Sequence, residues 1–155
     1  MKRIMEEINM IKICKEKWAK NEKVLKNALM RDFAYRLDSC DYEYLVKQVV
    51  KYILNTEKEE WDIDNIVVIN DGDYQGTLLF IIPRLTYQPS EHDYIMTHVN
   101  YGSCSGCDTL QAIQDHPLIN DYMTLCRGLV CNMINPYNHG WRHEDRFDIV
   151  EEGIY

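Results

Sequence analysis

The sequence predicts an α+β fold, in which a three- or four-stranded antiparallel sheet is packed by N-terminal and C-terminal helices. Apolar residues recur at helical spacing through the first 60 residues. Three short β-branched or aromatic segments then alternate with turn residues, and helical spacing returns after residue 108. At 155 residues, without a repeat or a linker, the chain is expected to form a single domain spanning 1–155.

Two helices are predicted in the N-terminal part. The first runs from Glu6 to Met30, and the second covers "DYEYLVKQVVKYILN", with Asp38 or Ser39 as its N-cap. Their predicted core-facing residues are Ile8, Ile11, Trp18, Leu25 and Leu29 in the first helix, and Tyr42, Leu45, Val46, Val49, Ile53 and Leu54 in the second.

Three strands are predicted in the middle of the chain, over "NIVVIN", "TLLFIIP" and "YIMTHVNY". The loop "NDGDYQG" suits a hairpin, and Pro83 is expected to end the second strand. The segment "TYQPSEHD" is the next loop, so the three strands form an antiparallel meander.

The C-terminal part is expected to hold a short helix over Thr109–Gln114 and a longer one over "LINDYMTLCRGLVCNMIN". Pro136 ends the longer helix, and "FDIV" near the C-terminus is a candidate edge strand. The longer helix is predicted to turn Leu118, Tyr122, Leu125, Leu129 and Met133 to the core.

The charge is unevenly distributed. Residues 1–60 hold 13 Lys and Arg against 11 Asp and Glu, whereas residues 61–155 hold 4 against 14. Direct nucleic-acid binding by the acidic part is not expected, because phosphate contacts need Lys and Arg. An acidic surface attracts basic partners, although it also serves solubility. No apolar run approaches the length of a membrane helix, and Glu6, Glu7 and Asn9 interrupt any signal-peptide core, so a cytoplasmic protein with reduced thiols is expected.

The segment "NYGSCSGCDTLQAI" contains Cys104 and Cys107 in a C-x-x-C arrangement. The favoured interpretation is a tight strand-to-helix turn with two buried thiols, because glycine relaxes the backbone and Ser and Asp cap helices. The residues of this predicted turn are Gly102, Ser103, Cys104, Gly106, Cys107 and Asp108, with Ser105 as a further candidate cap.

Two chemical alternatives stay open for the same cysteines. A redox pair is favoured by the helix N-terminus that follows, but Asp108 beside Cys107 disfavours a second anion. A structural zinc site needs more ligands than one C-x-x-C supplies. Candidate additional ligands are His139 and His143, which are four residues apart; Cys126 and Cys131 have poor ligand spacing, Cys126 suits the core, and His98 suits a satisfied strand histidine.

Other chemistry has little support. The loop "DGDYQG" offers Asp71 and Asp73 as oxygen ligands for calcium or magnesium, but it lacks the EF-hand spacing. No phosphate-binding loop, G-x-S-x-G or H-E-x-x-H motif occurs, so the chain is not expected to be an enzyme, and no cofactor is expected apart from zinc in the alternative.

The combination of "GDYQG" at Gly72–Gly76 with "YGSCSGCDTLQ" at Tyr101–Gln111 resembles a family of small, functionally uncharacterised bacteriophage-encoded proteins. In that family, the first segment begins a strand and the second closes the next one. The resemblance covers about 40 residues of the chain, from Asn70 to Gln111. It implies a phage protein acting in the host bacterial cytoplasm, and it implies no catalytic residue.

Together these features predict a phage-encoded acidic protein that binds and inhibits or modulates a host defence protein, of the anti-CRISPR or another anti-defence type. The partner would carry a basic surface, and carboxylates could mimic nucleic-acid phosphates. The alternatives are a metal or thiol site at Cys104 and Cys107, or a phage structural component; a homo-oligomer stays open. The predicted interaction residues are Asp71, Asp73, Tyr74, Glu91, Asp93, Asp108 and Asp115.

Overall fold

The fold class is α+β, as predicted. A computed structural model of the protein describes residues 2–33 and 39–135. Within them, helices precede and follow a three-stranded antiparallel sheet of order β1-β2-β3. The helices are α1 (Lys2–Phe33), α2 (Tyr42–Val49), α3 (Thr109–Asp115) and α4 (Ile119–Cys131), and the strands are β1 (Val67–Asn70), β2 (Gly76–Pro83) and β3 (Tyr94–Tyr101). The candidate fourth strand "FDIV" lies outside the described residues.

Helix α1 packs on α4 and on the π-helical turn Val50–Leu54 that continues α2. Its buried side includes Trp18, Leu25 and Leu29, as predicted, together with Cys14. The predicted core position Ile11 is wrong, because its side chain is 47% exposed at the margin of this contact. The prediction for the Ile8 side chain falls outside the described side chains.

Polar side chains of α1 satisfy the end of the π-helical turn. Lys17 Nζ donates to the Leu54 carbonyl oxygen at 2.9 Å, and Asn21 Nδ2 donates to the Ile53 carbonyl oxygen at 3.3 Å. These carbonyls lack partners within their own helix, so α1 supplies the hydrogen bonds that the helix end needs.

Helix α2 begins at an aspartate that the sequence did not single out as its cap. The Asp41 carboxylate accepts the Tyr44 N–H at 2.8 Å, and Asp41 has the extended backbone typical of an N-cap. The predicted cap at Ser39 is therefore wrong, and the alternative at Asp38 lies outside the described residues. The predicted buried face is confirmed, with Tyr42, Leu45, Val46, Val49, Ile53 and Leu54 all 5% exposed or less.

The sheet is the predicted meander, and its two faces enter different apolar clusters. Phe80, Ile82 and Ile95 pack into the main core with the helices, whereas Leu79, Ile81 and Met96 alternate with them and form a smaller cluster. Buried Thr97 joins β3 to α4 by donating to the Leu129 carbonyl oxygen at 2.7 Å. Strand β2 ends at Pro83, as predicted.

The C-terminal helices agree with the predicted pattern in most positions. Tyr122, Leu129 and Met133 are buried, and Leu125 is half-buried. The predicted core position Leu118 is wrong, because it precedes the first turn of α4 as its N-cap and is 62% exposed. The pairing of Gly76 with Tyr101 places the β1–β2 loop and the segment after β3 at the same end of the sheet.

A buried histidine makes the fold sensitive to acid. His98 is 8% exposed beside a pocket of about 470 Å³ between β3, α3 and α4, and burial lowers its pKa to about 4. The folded state favours the neutral form of His98. Its contribution to the free energy of unfolding is therefore fully present above the unfolded pKa of about 6.5 and is lost as the pH decreases towards 4.

We expect wild-type protein to lose about 2 kcal/mol more of its free energy of unfolding than His98→Gln when the pH changes from about 7.5 to about 5. Urea unfolding of both proteins at the two pH values measures this difference. An equal loss in the wild-type protein and the variant would contradict the assignment to His98, and an imidazole titration by NMR reads the pKa directly.

Candidate functional site

The two motif segments singled out in the sequence meet at one end of the sheet. Tyr101 closes β3, and its hydroxyl lies 2.5 Å from Asn70 Oδ1 and 2.7 Å from the Gly72 carbonyl oxygen. The single hydroxyl proton can be shared between these two acceptors of the β1–β2 loop. The hydroxyl thereby joins this loop to the end of β3, directly before the segment 102–108, which is called the cysteine turn from here on. The term "motif surface" denotes the exposed side chains of residues 71–75 and 103–107 at this end.

The β1–β2 loop is a tight hairpin connection, as predicted. Asn70 Oδ1 accepts the Gly72 N–H at 3.0 Å, and Asp71 Oδ1 accepts the Thr77 N–H at 2.5 Å. The two glycines allow close packing, since a Cβ would lie 2.0 Å from the Gln75 carbonyl oxygen at Gly72 and 2.5 Å from Asp71 Oδ1 at Gly76.

Two side chains of this loop face solvent and take no part in the hydrogen bonds that shape it within the described residues. Tyr74 is 81% exposed, and Asp73 is exposed and makes none of the described side-chain hydrogen bonds. The loop therefore uses Asn70 and Asp71 for its own shape and displays Asp73 and Tyr74.

The cysteine turn is held by Asp108, which is only 6% exposed. Asp108 Oδ1 accepts the Gln111 N–H at 3.0 Å, as the N-cap of α3, and the Tyr42 hydroxyl at 2.8 Å. Asp108 Oδ2 accepts the Gly102 N–H at 2.9 Å. The predicted cap is thus confirmed, but the prediction that Asp108 belongs to an acidic surface is wrong, because all of its donors lie inside the fold.

Tyr42 on α2 completes this network. Its oxygen accepts the Leu110 N–H at 3.0 Å while its hydroxyl donates to Asp108. Burial is the main cause that raises the pKa of Tyr42 far above its usual value, and the hydrogen bond to Asp108 adds to the rise. The hydroxyl therefore stays protonated and serves as a permanent donor to the carboxylate.

Gly102 is the position where the turn allows no side chain. A Cβ there would lie 2.5 Å from the Cys107 carbonyl oxygen and 2.6 Å from Cys107 Sγ, and Gln111 Nε2 donates to the Gly102 carbonyl oxygen at 2.8 Å. Gly106 differs, because a Cβ there would meet only Cys104 Sγ at 3.9 Å and its φ lies outside the left-handed region. The prediction that Gly106 supplies a special backbone conformation is therefore wrong.

Both thiols of the turn are exposed, so the prediction of two buried thiols is wrong. The sulfur atoms of Cys104 and Cys107 are 2.7 Å apart, and the Cys104 N–H donates to Cys107 Sγ at 3.1 Å. The Cys107 N–H also donates to the Cys104 carbonyl oxygen at 3.0 Å, which closes the turn. The hydrogen bond with the Cys104 side chain, followed by that from the Cys104 N–H, lowers the pKa of Cys107.

The remaining ligand candidates do not gather around these thiols in the described structure. Among the side chains that the structure describes, those of residues 9–32 and 39–135, no group of three or more His, Cys, Asp or Glu could hold a metal ion. His139 and His143 lie outside the described residues, so the zinc alternative stays a prediction. Cys126 is fully buried in the core, as expected, and Cys131 is exposed on α4.

The predicted acidic residues do not form one face. Asp71 and Asp73 lie on the motif surface, whereas Glu91 and Asp93 lie on the β2–β3 loop, at the far end of an eight-residue strand about 25 Å long. Asp93 also pairs with Arg84, at 3.2 Å from Nε, while Ser90 holds the pKa of Asp93 below its usual value. Asp115 is exposed at the end of α3.

Sequence reasoning missed three residues of this site, namely Tyr42, Tyr101 and Gln111, which anchor the turn. Asp108 and Gln111 have the spacing of a capping box, and this spacing was a usable signal. Nothing in the sequence pairs Tyr42 with a carboxylate 66 residues away.

We expect Asp108→Ala to lower the free energy of unfolding by about 3 kcal/mol, because it removes an N-cap and leaves the Tyr42 hydroxyl and Gly102 N–H without an acceptor. Asp115→Ala, the matched control on the exposed end of α3, should change it by less than about 0.5 kcal/mol. Chemical denaturation measures both values. Similar small losses in the two variants would contradict an anchoring role for Asp108.

Known proteins add no further assignment. Comparison with protein-family models, curated proteins and solved structures found no match to the chain. The resemblance to the phage-encoded family therefore stays a prediction. Among the described residues, no helix is both long and apolar enough to cross a membrane.

Proposed function

We propose that this chain is a phage-encoded protein that binds a host defence protein through the motif surface and thereby inhibits or modulates it. One observation carries the proposal. The backbone under residues 71–75 and 103–107 is fixed by Tyr101 and buried Asp108, while the side chains of this end face solvent.

Such an arrangement suits recognition because fixed loops lose little conformational freedom when a partner binds. Tyr74 offers a large amphipathic side chain at the rim of the hairpin loop, and tyrosine is among the residues that contribute most to interface binding energy. The hydrogen bonds that shape the described loop leave the Tyr74 side chain unused, which is the expected state of a contact residue in an unbound protein.

The charge of the motif surface indicates the kind of partner. Asp71 and Asp73 are exposed there, and the segment from Trp61 to Cys126 contains Arg84 as its one basic residue. Arg84 lies at the opposite end of the sheet, beside Asp93. A negative loop of this kind is steered towards a positively charged cleft, as nucleases and other defence factors use to hold DNA or RNA.

The proposed phage context comes from the resemblance of Gly72–Gly76 and Tyr101–Gln111, from which we infer action in the host bacterial cytoplasm. In this proposal, nucleic-acid mimicry involves Asp71 and Asp73 rather than a continuous acidic face, because Glu91 and Asp93 lie at the other end of β2. An anti-CRISPR or other anti-defence protein acting in this way needs no catalytic residue.

The test compares two ends of the same molecule. Tagged wild-type protein is used to capture proteins from a nuclease-treated bacterial lysate, and the dissociation constant is then measured with the purified partner. We expect Asp73→Asn combined with Tyr74→Ala to weaken binding at least about tenfold, and Glu91→Gln at the opposite end to leave it within about twofold.

Higher salt should weaken wild-type binding more than binding by the double variant, because the lost carboxylate removes part of the electrostatic attraction. The proposal is wrong if the double variant captures every protein that wild type captures, or if wild type captures none. It is also wrong if Glu91→Gln weakens binding as much as the double change.

A further inference from the structure

The thiol pair on the motif surface has a geometry that a contact surface does not require. Cys104 Sγ and Cys107 Sγ are already 2.7 Å apart, and a disulfide needs about 2.05 Å between its sulfur atoms. Both side chains are exposed, so a reagent can approach either sulfur. We propose that Cys104 and Cys107 form a thiol–disulfide exchange site that reduces accessible disulfide bonds.

The contacts assign a role to each sulfur. Cys107 Sγ accepts the Cys104 N–H at 3.1 Å and lies in hydrogen-bond contact with the Cys104 thiol. Both contacts favour a negative charge on Cys107, as do hydrogen bonds from Ser103. The thiol form can instead donate to the Cys104 carbonyl oxygen at 3.2 Å, but the contacts from Cys104 and Ser103 prevail and the pKa of the Cys107 thiol is lowered. Cys107 is therefore the attacking thiolate, and Cys104 is the thiol that resolves the intermediate.

The neighbouring carboxylate does not oppose this charge in the way that the sequence suggested. Asp108 is turned into the fold, where the Gly102 N–H, the Gln111 N–H and the Tyr42 hydroxyl donate to it. These three donors offset its charge, and the turn is held with its sulfur atoms outward. Cys107 can occupy this position only because residue 102 is glycine, since a Cβ there would lie 2.6 Å from Cys107 Sγ.

The exchange reaction proceeds in two steps. Cys107 thiolate attacks one sulfur of a substrate disulfide, the substrate S–S bond breaks, and one substrate thiolate leaves and takes a proton. Cys104, after losing its proton, attacks Cys107 Sγ and releases the second substrate thiolate, which is also protonated. The substrate gains two electrons and two protons, and the protein retains a Cys104–Cys107 disulfide.

The other cysteines provide internal controls. Burial raises the pKa of Cys14 to about 11 and raises that of Cys126 further, so neither buried thiol ionises near neutral pH. Cys131 is exposed on α4 and outside the turn, which makes it the matched reference for an ordinary surface thiol.

The test uses the reduced full-length protein with oxidised glutathione as the small disulfide and insulin as the protein disulfide. Wild type should lose two thiols and gain a Cys104–Cys107 disulfide, located by mass spectrometry of digested protein. Cys104→Ser should accumulate a glutathione adduct on Cys107, and Cys107→Ser should react at least about tenfold more slowly. Cys131→Ser should match wild type.

Reaction with oxidised glutathione but not with insulin identifies small disulfides as the substrates. Reaction with insulin identifies protein disulfides as substrates. The proposal is overturned if neither probe oxidises the pair, or if Cys107 in Cys104→Ser reacts no faster than Cys131. It does not depend on the host-partner proposal, because disulfide formation and glutathione adducts are read by mass spectrometry without any host protein, so the two can fail separately.

Discussion

A buried carboxylate organises the end of the sheet at which the β1–β2 loop and the cysteine turn meet. Asp108 accepts hydrogen bonds from α2 through the Tyr42 hydroxyl, from the end of β3 through the Gly102 N–H, and from the first turn of α3 through the Gln111 N–H. An unpaired charge at this depth would be costly, so the three donors must stay in place for the fold to be stable. That requirement fixes the helical layer and the sheet against each other at the cysteine turn.

The same constraint divides the motif "YGSCSGCDTLQ" into two kinds of residue. Tyr101, Gly102, Asp108 and Gln111 have structural tasks, since each is held by a hydrogen bond or by close packing. The sulfur atoms of Cys104 and Cys107 contact each other, Cys107 also makes hydrogen bonds with Ser103, and both cysteines are exposed. The neighbouring hairpin loop makes the same division, with Asn70 and Asp71 shaping it and Asp73 and Tyr74 displayed. A stable scaffold that exposes a thiol pair and a tyrosine supports a functional assignment at this end of the sheet.

The elements were predictable where periodicity reports burial. The faces of α2 and α4 follow from helical spacing, because each of these helices buries one continuous side. The three strands follow from short β-branched or aromatic runs between turn residues, although the residues of β1 are exposed or half-buried. Ile11 and Leu118 were assigned wrongly since spacing alone does not show where a neighbouring element ends. The thiols were expected to be buried because free cysteine usually is, whereas a turn this short has no interior in which to place them. The Tyr42–Asp108 contact joins residues far apart in sequence, and no local pattern encodes it.

Alkylation of the native, reduced protein by iodoacetamide, mapped residue by residue by mass spectrometry, tests the central claim most directly. The claim is that the Asp108 network holds Cys104 and Cys107 outward while the core protects Cys14 and Cys126. We expect Cys107 to react fastest near neutral pH, and Cys14 and Cys126 to react only after unfolding. Protection of Cys104 and Cys107 in the native protein to the same degree as Cys126 would contradict the account.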